Sequence, residues 1–161
     1  MDLLESLRNL KFPRQKRKNI ADKSYEGFVL GKVYSWAGKG EIAGYRKIIS
    51  SKTKMEKYKD VYEESLRYMK LNNPEFIFTT IQYNKNQQCK KHLDKNNVGE
   101  SFIVGFGDYE GGELIVYDED GNNPVKHDIK NKPLKFNGSK YWHETAPFVG
   151  ERYTLVFFNI D

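Results

Sequence analysis

From Pro74 onward the sequence is cut into short runs rich in β-branched and aromatic residues, and this punctuation limits the possible folds more than any other feature. FIFTTIQY, SFIVGFG, ELIVYD, VKHDI, PLKF and RYTLVFFNI each read as one strand. EGGE, EDGNN and NGS, which separate several of them, carry the Gly and Asn residues that tight turns use. Many short strands joined by such turns predict an all-β sandwich or barrel. The upstream chain predicts a helical layer in front of it. Met55, Tyr58, Tyr62, Leu66 and Met69 recur three or four apart, predicting a helix from Thr53 to Lys70 that Asn72-Asn73-Pro74 stops. Phe28-Val29-Leu30 and Val33-Tyr34 read as a strand bent by Gly31, and AGKGEIAGY as a loop. Residues 1–23 read as a basic N-terminal arm. Leu3, Leu4, Leu7 and Leu10 give it a short amphipathic start, and Pro13 interrupts the basic run from Lys11 to Lys18.

A chain of 161 residues supports one domain with a single sizeable core. Aromatic residues at 14% and apolar residues at 38% exclude a disordered chain. The one cysteine, Cys89, excludes an internal disulfide framework and suits a reducing compartment. No apolar run approaches the ~20 residues that cross a bilayer. In MDLLESLRNLKFPRQKRKN the basic residues follow the short apolar part, the reverse of a secretory signal. The expectation is a soluble intracellular protein, cytoplasmic or nuclear, with its oligomeric state open and a monomer sufficient. Lys and Arg exceed Asp and Glu by five, which tolerates an anionic partner and equally fits a lysine-rich composition.

Only three histidines occur, and His92, in KKHLDKNN, is followed two positions later by Asp94. In extended chain, side chains at i and i+2 share a face, so both can address one metal ion. His143, in SKYWHETA, is the histidine set to complete the group. Two imidazoles and a carboxylate form the facial triad of non-haem Fe(II) oxygenases, which leaves coordination positions open to substrates. His-x-Asp alone describes a surface histidine beside a solvated carboxylate just as well. What strengthens it is Arg152 at the head of the last strand, with Thr154 two residues on and facing the same way. A guanidinium clamps a carboxylate with two parallel hydrogen bonds, and a hydroxyl adds a third. The plainer role for Arg152 is a strand-end ion pair.

Taken together, HLD, a distal His and Arg-x-Thr about ten residues later resemble the Fe(II)/2-oxoglutarate-dependent dioxygenase superfamily, over about residues 76–159. The stretches IQYNKN, HLDKNNVGESFIVGFGDYEGGELIVYD and FNGSKYWHETAPFVGERYTLVFF are similar to compact members related to the TET/JBP nucleobase oxygenases. The resemblance implies a mainly β double-stranded β-helix, a jelly roll or cupin-like fold, with flanking helices. One domain, 1–161, would then hold the arm (1–23), a strand and helical support layer (24–75) and the double-stranded β-helix core (76–161). His92, Asp94 and His143 would be the iron ligands and catalytic centre. Arg152 would bind the distal carboxylate of 2-oxoglutarate, with Thr154 as its hydroxyl partner. Tyr83 would contact the same co-substrate, unless it is simply a core tyrosine. Asn84 and Gln82 face the other way from Tyr83, and one of them, Asn84 for preference, would reach the iron pocket. The implied cofactors are Fe(II), with 2-oxoglutarate and O2 as co-substrates; a C–H bond is hydroxylated with release of succinate and CO2.

Three hypotheses of function stand at this level, two of them differing in the target that is oxidised. The first is a nucleobase methyl group in DNA or RNA, for which KFPRQKRK, Lys90, Lys91 and Lys95 would meet phosphates; KFPRQKRK is equally a solvated tail. The second is a prolyl or lysyl side chain or a small molecule. The third is a binding module without chemistry. Gly111-Gly112 reads as a hairpin turn, Trp142 as a wedge or a stacking ring, His127 as exposed and Cys89 as an inert thiol.

Overall fold

The structure, a computed structural model, describes residues 2–38 and 40–161. The first 72 residues contain α1 (Leu3–Arg8), β1 (Arg14–Gln15), β2 (Tyr25–Ala37), β3 (Gly44–Ile49), α2 (Lys52–Lys57) and α3 (Lys59–Asn72). The strands β4 (Thr80–Lys85), β5 (Ser101–Phe106), β6 (Tyr109–Gly111), β7 (Leu114–Val116), β8 (Val125–His127) and β9 (Leu134–Phe136) follow, then β10 (His143–Thr145), β11 (Phe148–Gly150) and β12 (Tyr153–Phe158). The larger sheet runs β1-β2-β4-β12-β5-β9, with every pairing antiparallel. The smaller sheet runs β10-β7-β8, and β11 pairs separately with β6. The segment containing His92 extends the smaller sheet, because His92 and His143 exchange N–H···O bonds of 3.0 Å in both directions.

Alternation along β12 explains how the sheets layer. Tyr153, Leu155 and Phe157 are buried and turn towards the helices. There they join Phe28 and Leu30 of β2, Ile81 and Tyr83 of β4, and Phe102, Val104 and Phe106 of β5. Leu3 and Leu7 of α1 and Val61 and Met69 of α3 cover this face. Thr154, Val156 and Phe158 point the other way, into the space between the sheets. Strand period two therefore divides one sheet into an apolar core face and a cavity face.

Three expectations need adjusting. The helix is broken at Tyr58, which takes φ −108° and ψ 21°. Its ring is buried in a parallel stack on Phe28, with centroids 4.1 Å apart, so tertiary packing overrides the periodic pattern. Residues 2–23 are built into the fold rather than hanging free: Leu3, Leu7, Phe12 and Ile20 are buried and β1 edges the larger sheet. The loop after Ala37 is shorter than AGKGEIAGY suggests, because Gly44 already starts β3. Gly31 does mark the bend. It has φ 106°, and a Cβ there would come within 2.4 Å of the Thr79 carbonyl oxygen. At this point β2 changes partner, from β4 (Gly31 opposite Thr80) to β3 (Lys32 opposite Ile49).

Among the described residues no helix is long and apolar enough to cross a membrane.

Candidate metal centre and anion pocket

His92 and His143 are buried on adjoining backbone segments. Nδ1 of His92 lies 2.6 Å from the Lys90 carbonyl, and Nδ1 of His143 lies 2.9 Å from that of Tyr141. A carbonyl oxygen only accepts, so each Nδ1 carries the proton and donates it. Each Nε2 is left with a lone pair, the arrangement that orients metal-binding imidazoles. Both Nε2 atoms converge on Asp94, with His92 Nε2 3.4 Å from Oδ1 and His143 Nε2 3.2 Å from Oδ2. All three donor atoms lie within 4.8 Å of one another. Asp94 is fixed by its own N–H, which donates to the Gly138 carbonyl at 2.9 Å. Gly138 also leaves room: a Cβ there would sit 3.2 Å from both Asp94 Oδ2 and His143 Cε1. Burial opposes the charge on Asp94, but hydrogen bonds that it accepts from His143 and His92, made while each Nε2 carries a proton that a bound metal would replace, outweigh it and hold its carboxyl well below the usual range. Two nitrogen lone pairs and one carboxylate, closed on one side only, fit a divalent transition metal.

The triad opens on a cavity of about 280 Å³ between the sheets. Arg152, only 3% exposed, forms part of its wall. Its Nη2 donates to the Gly112 carbonyl at 2.9 Å and its Nη1 to that of Gln87 at 3.3 Å. Nε has no partner, and no carboxylate pairs with the guanidinium among the described residues. Burial lowers its pKa from the usual arginine value. The rings of Phe148 and Tyr109 flank it at 5.4 and 5.5 Å. A buried cation without a counter-charge is costly. An anion entering the cavity would relieve that cost.

Thr154 and Asn84 also line the cavity. Asn84 Nδ2 donates to Thr154 Oγ1 at 3.2 Å, which leaves the threonine proton free to point at a ligand. Asn84 Oδ1 accepts from Gln82 Nε2 at 3.1 Å, and Gln82 Nε2 donates onward to Gln15 Oε1 at 2.7 Å. Tyr83 is placed elsewhere. Its ring stacks on Phe28 at 4.6 Å on the helical side of the sheet, and its hydroxyl meets Ser65 Oγ at 2.8 Å. The co-substrate role expected of Tyr83 is therefore corrected to that of a core tyrosine. Tyr83→Phe should cost ~1 kcal/mol of stability, since one buried neutral hydrogen bond is lost. Its 2-oxoglutarate affinity should equal the wild type by calorimetry; weakened binding would return Tyr83 to the site.

Two contributors were not picked out from sequence. Arg17 reaches the triad, with Nη2 3.4 Å from Asp94 Oδ1, and lines the cavity. The turn that carries it is tied down by buried Ile20, whose carbonyl accepts from Lys90 N–H at 2.7 Å. Seventy-seven residues separate Arg17 from Asp94, and only its place in a basic run was visible. The second is Gly112, read as a plain turn residue: it has φ 68°, and a Cβ would lie 2.7 Å from Arg152 Nε. Arg17→Ala should weaken divalent-cation binding about 10-fold, as loss of an outer partner of a ligand does. Because this ion pair is partly exposed, the melting temperature should hardly move. An unchanged cation Kd would remove Arg17 from the site.

The remaining candidates are placed less centrally. Lys90 pairs with Asp22 at 2.9 Å, and Lys91 lies 3.9 Å over the Tyr117 ring while donating to the Gly121 carbonyl. Trp142 is half-buried, its Nε1 donating to the Glu119 carbonyl at 3.1 Å. His127 is half-buried on β8. Cys89 borders the cavity, and burial pushes its thiol pKa up, in keeping with an unreactive side chain.

No protein-family model and no curated protein matches this sequence. Solved structures do match in fold. An oxidoreductase of the 2OG-Fe(II) oxygenase family from Burkholderia pseudomallei aligns with 96% of this chain and 76% of its own, at 16% identity and a TM-score of 0.59. A bsmA homolog from Methylobium petroleophilum aligns with 99% of this chain and 81% of its own, at 14% identity and a TM-score of 0.52. NgTET1 in complex with 5mC DNA aligns with 68% of this chain and 47% of its own, at 21% identity and a TM-score of 0.44, too loose a fit to inform on substrate. The chain has the jelly-roll, double-stranded β-helix fold of the first of these structures.

Proposed function

We propose that the protein is an Fe(II)- and 2-oxoglutarate-dependent dioxygenase that hydroxylates a C–H bond. The observation that carries this reading is one cavity that joins a two-histidine, one-aspartate cluster to a buried guanidinium that pairs with no carboxylate among the described residues. His92, Asp94 and His143 would hold the metal through the two Nε2 atoms and the carboxylate. Arg152 would take the distal carboxylate of 2-oxoglutarate, with Nε as a free donor and the Thr154 hydroxyl as a second. Ile103, Leu114, Phe136 and Val156 supply apolar wall that keeps water from the reacting atoms. Bound iron would supply the activation of dioxygen: one oxygen atom enters succinate as CO2 leaves, and the other replaces a substrate hydrogen as hydroxyl.

The finer reading is that the hydroxylated carbon is a nucleobase methyl group in DNA or RNA. The excess of five positive charges supports it, as does the basic segment around Gln15 and Arg17 at the cavity wall. The test is to incubate protein with Fe(II), 2-oxoglutarate and oxygen alongside DNA, RNA and peptide pools. Succinate formation that a chelator abolishes, with one oxygen gained by oligonucleotide bases, is expected. Oxygen gained only by peptides would overturn the nucleic-acid reading, and failure to form succinate with any pool would overturn the enzyme reading.

A further inference from the structure

We propose that the projecting ribbon formed by the outer half of β2 and by β3 is a stacking platform for single-stranded nucleic acid, which delivers a base to the cavity. The inference deepens the oxygenase reading and relies on it for the chemistry, whereas strand binding can be measured on its own. Lys32 is still tied to the larger sheet, its N–H donating to the Thr79 carbonyl at 2.9 Å, but beyond it Val33–Ala37 pair, among the described residues, only with Gly44–Ile48, so this part of the chain leaves the larger sheet as two strands. Residues directly opposite on antiparallel strands share a face. Lys32, Tyr34 and Trp36 therefore lie on the same face as Ile49, Lys47 and Tyr45. Trp36 is 60% exposed and Tyr45 70%, with their rings edge-to-face at 5.1 Å. Large aromatic rings left open to water on a narrow ribbon mark a surface made for contact.

Charge selects the kind of contact. Residues 32–49 hold four cationic side chains, Lys32, Lys39, Arg46 and Lys47, against the single acid Glu41. Lys32 is engaged with Asp161, but Arg46 and Lys47 are exposed and make no ion pair among the described residues. Lys47 stands between Tyr45 and Ile49 on the aromatic face, where a purely apolar partner would leave its charge unsolvated. Bases that stack on rings while their phosphates meet lysines satisfy both features at once. In a duplex the ring faces of the bases are already stacked, so the fit is to a single strand.

Position connects the platform to the chemistry. Lys32, Val33 and Tyr34, at the ribbon's root, line the same cavity as the triad. Tyr34 meets the Ile160 carbonyl just past β12. Cavity-facing residues follow β12 from Arg152 through Thr154 and Val156 to Phe158, roughly 20 Å of extended chain. The guanidinium thus occupies one end of the cavity and the ribbon the other, and a strand laid on the ribbon enters opposite the anion anchor.

The test is fluorescence anisotropy of dye-labelled oligo(dT) and oligo(U), single-stranded and annealed to their complements, with the full chain. Wild type should bind the single strands better than the duplexes, with an affinity that falls as salt rises. Trp36→Ala with Tyr45→Ala should weaken single-strand binding about 10-fold or more, and Lys47→Ala should reduce the salt dependence. All these side chains are exposed, so melting temperature and calorimetric metal binding should match wild type. Absent oligonucleotide binding, equal binding of duplex, or a double variant that binds as wild type would each overturn the proposal. So would a double variant that loses self-association or peptide binding instead. Ring-dependent strand binding without succinate formation would leave the platform standing and remove the oxygenase reading. Succinate formation without strand binding would do the reverse.

Discussion

Asp94→Ala is expected to abolish tight binding of a divalent cation. The carboxylate lies between the two Nε2 atoms, and without it the site offers only two neutral nitrogens. The loss also frees Arg17, whose guanidinium is then an uncompensated positive charge beside the place a cation must occupy. Both effects act in the same direction, so affinity for Co(II) or Fe(II) should fall by more than the ~100-fold that loss of an outer partner can cost. In wild type, cation at about 100 times Kd should add ~2.7 kcal/mol of stability. In the variant that thermal shift should vanish, and succinate formation with it. Asp94→Asn, which keeps the shape and removes the charge, guards against a simple folding failure and should also lose the cation-induced shift. Cation binding within a few-fold of wild type in either variant would dismantle the proposed centre.

Arg152→Met should produce the second large effect, and in two opposite directions. Bound 2-oxoglutarate should lose charge-assisted hydrogen bonds worth ~1.5–3 kcal/mol each, so co-substrate affinity should fall about 100-fold. The ligand-free protein should lose little stability and can gain some. Two carbonyls, of Gln87 and Gly112, lose a donor at ~1 kcal/mol each, but an unpaired buried charge is removed from between two aromatic rings. Calorimetry for the co-substrate and thermal unfolding of the free protein together separate the two contributions. A variant that is strongly destabilised yet binds 2-oxoglutarate normally would make Arg152 a structural residue and nothing more.

Much of this architecture was legible in the sequence because period-two patterning and turn chemistry act locally. The runs SFIVGFG and RYTLVFFNI became β5 and β12, and the His-x-Asp pair and the distal histidine did meet. The same alternation also placed Asn84 on the cavity face and Tyr83 on the other, as β4 is regular there. The misses have a different origin. Tyr58 breaks a helix whose periodicity is unbroken, and its ring lies stacked on Phe28 at the break, a long-range contact that spacing along the helix does not encode. Arg17 joins the site only through the docking of the N-terminal segment, a contact that no spacing rule foretells. Gly112 looked like any hairpin glycine; its task is to make room for a guanidinium contributed forty residues later.

The reciprocal bonds between His92 and His143 also bear on how this domain would breathe. Among the described residues, the chain between β4 and β5 has no strand of its own and is stitched to β10 at few points, chiefly His92 to His143 and Thr145 N–H to the Cys89 carbonyl at 3.0 Å. A metal gripping both imidazoles would work as a rivet across that seam, fastening a wandering stretch to an ordered one. Stripping the ion with a chelator should then let residues 86–100 take up deuterium faster while the helix-backed sheet stays protected, so that metal loading and local firmness rise and fall together.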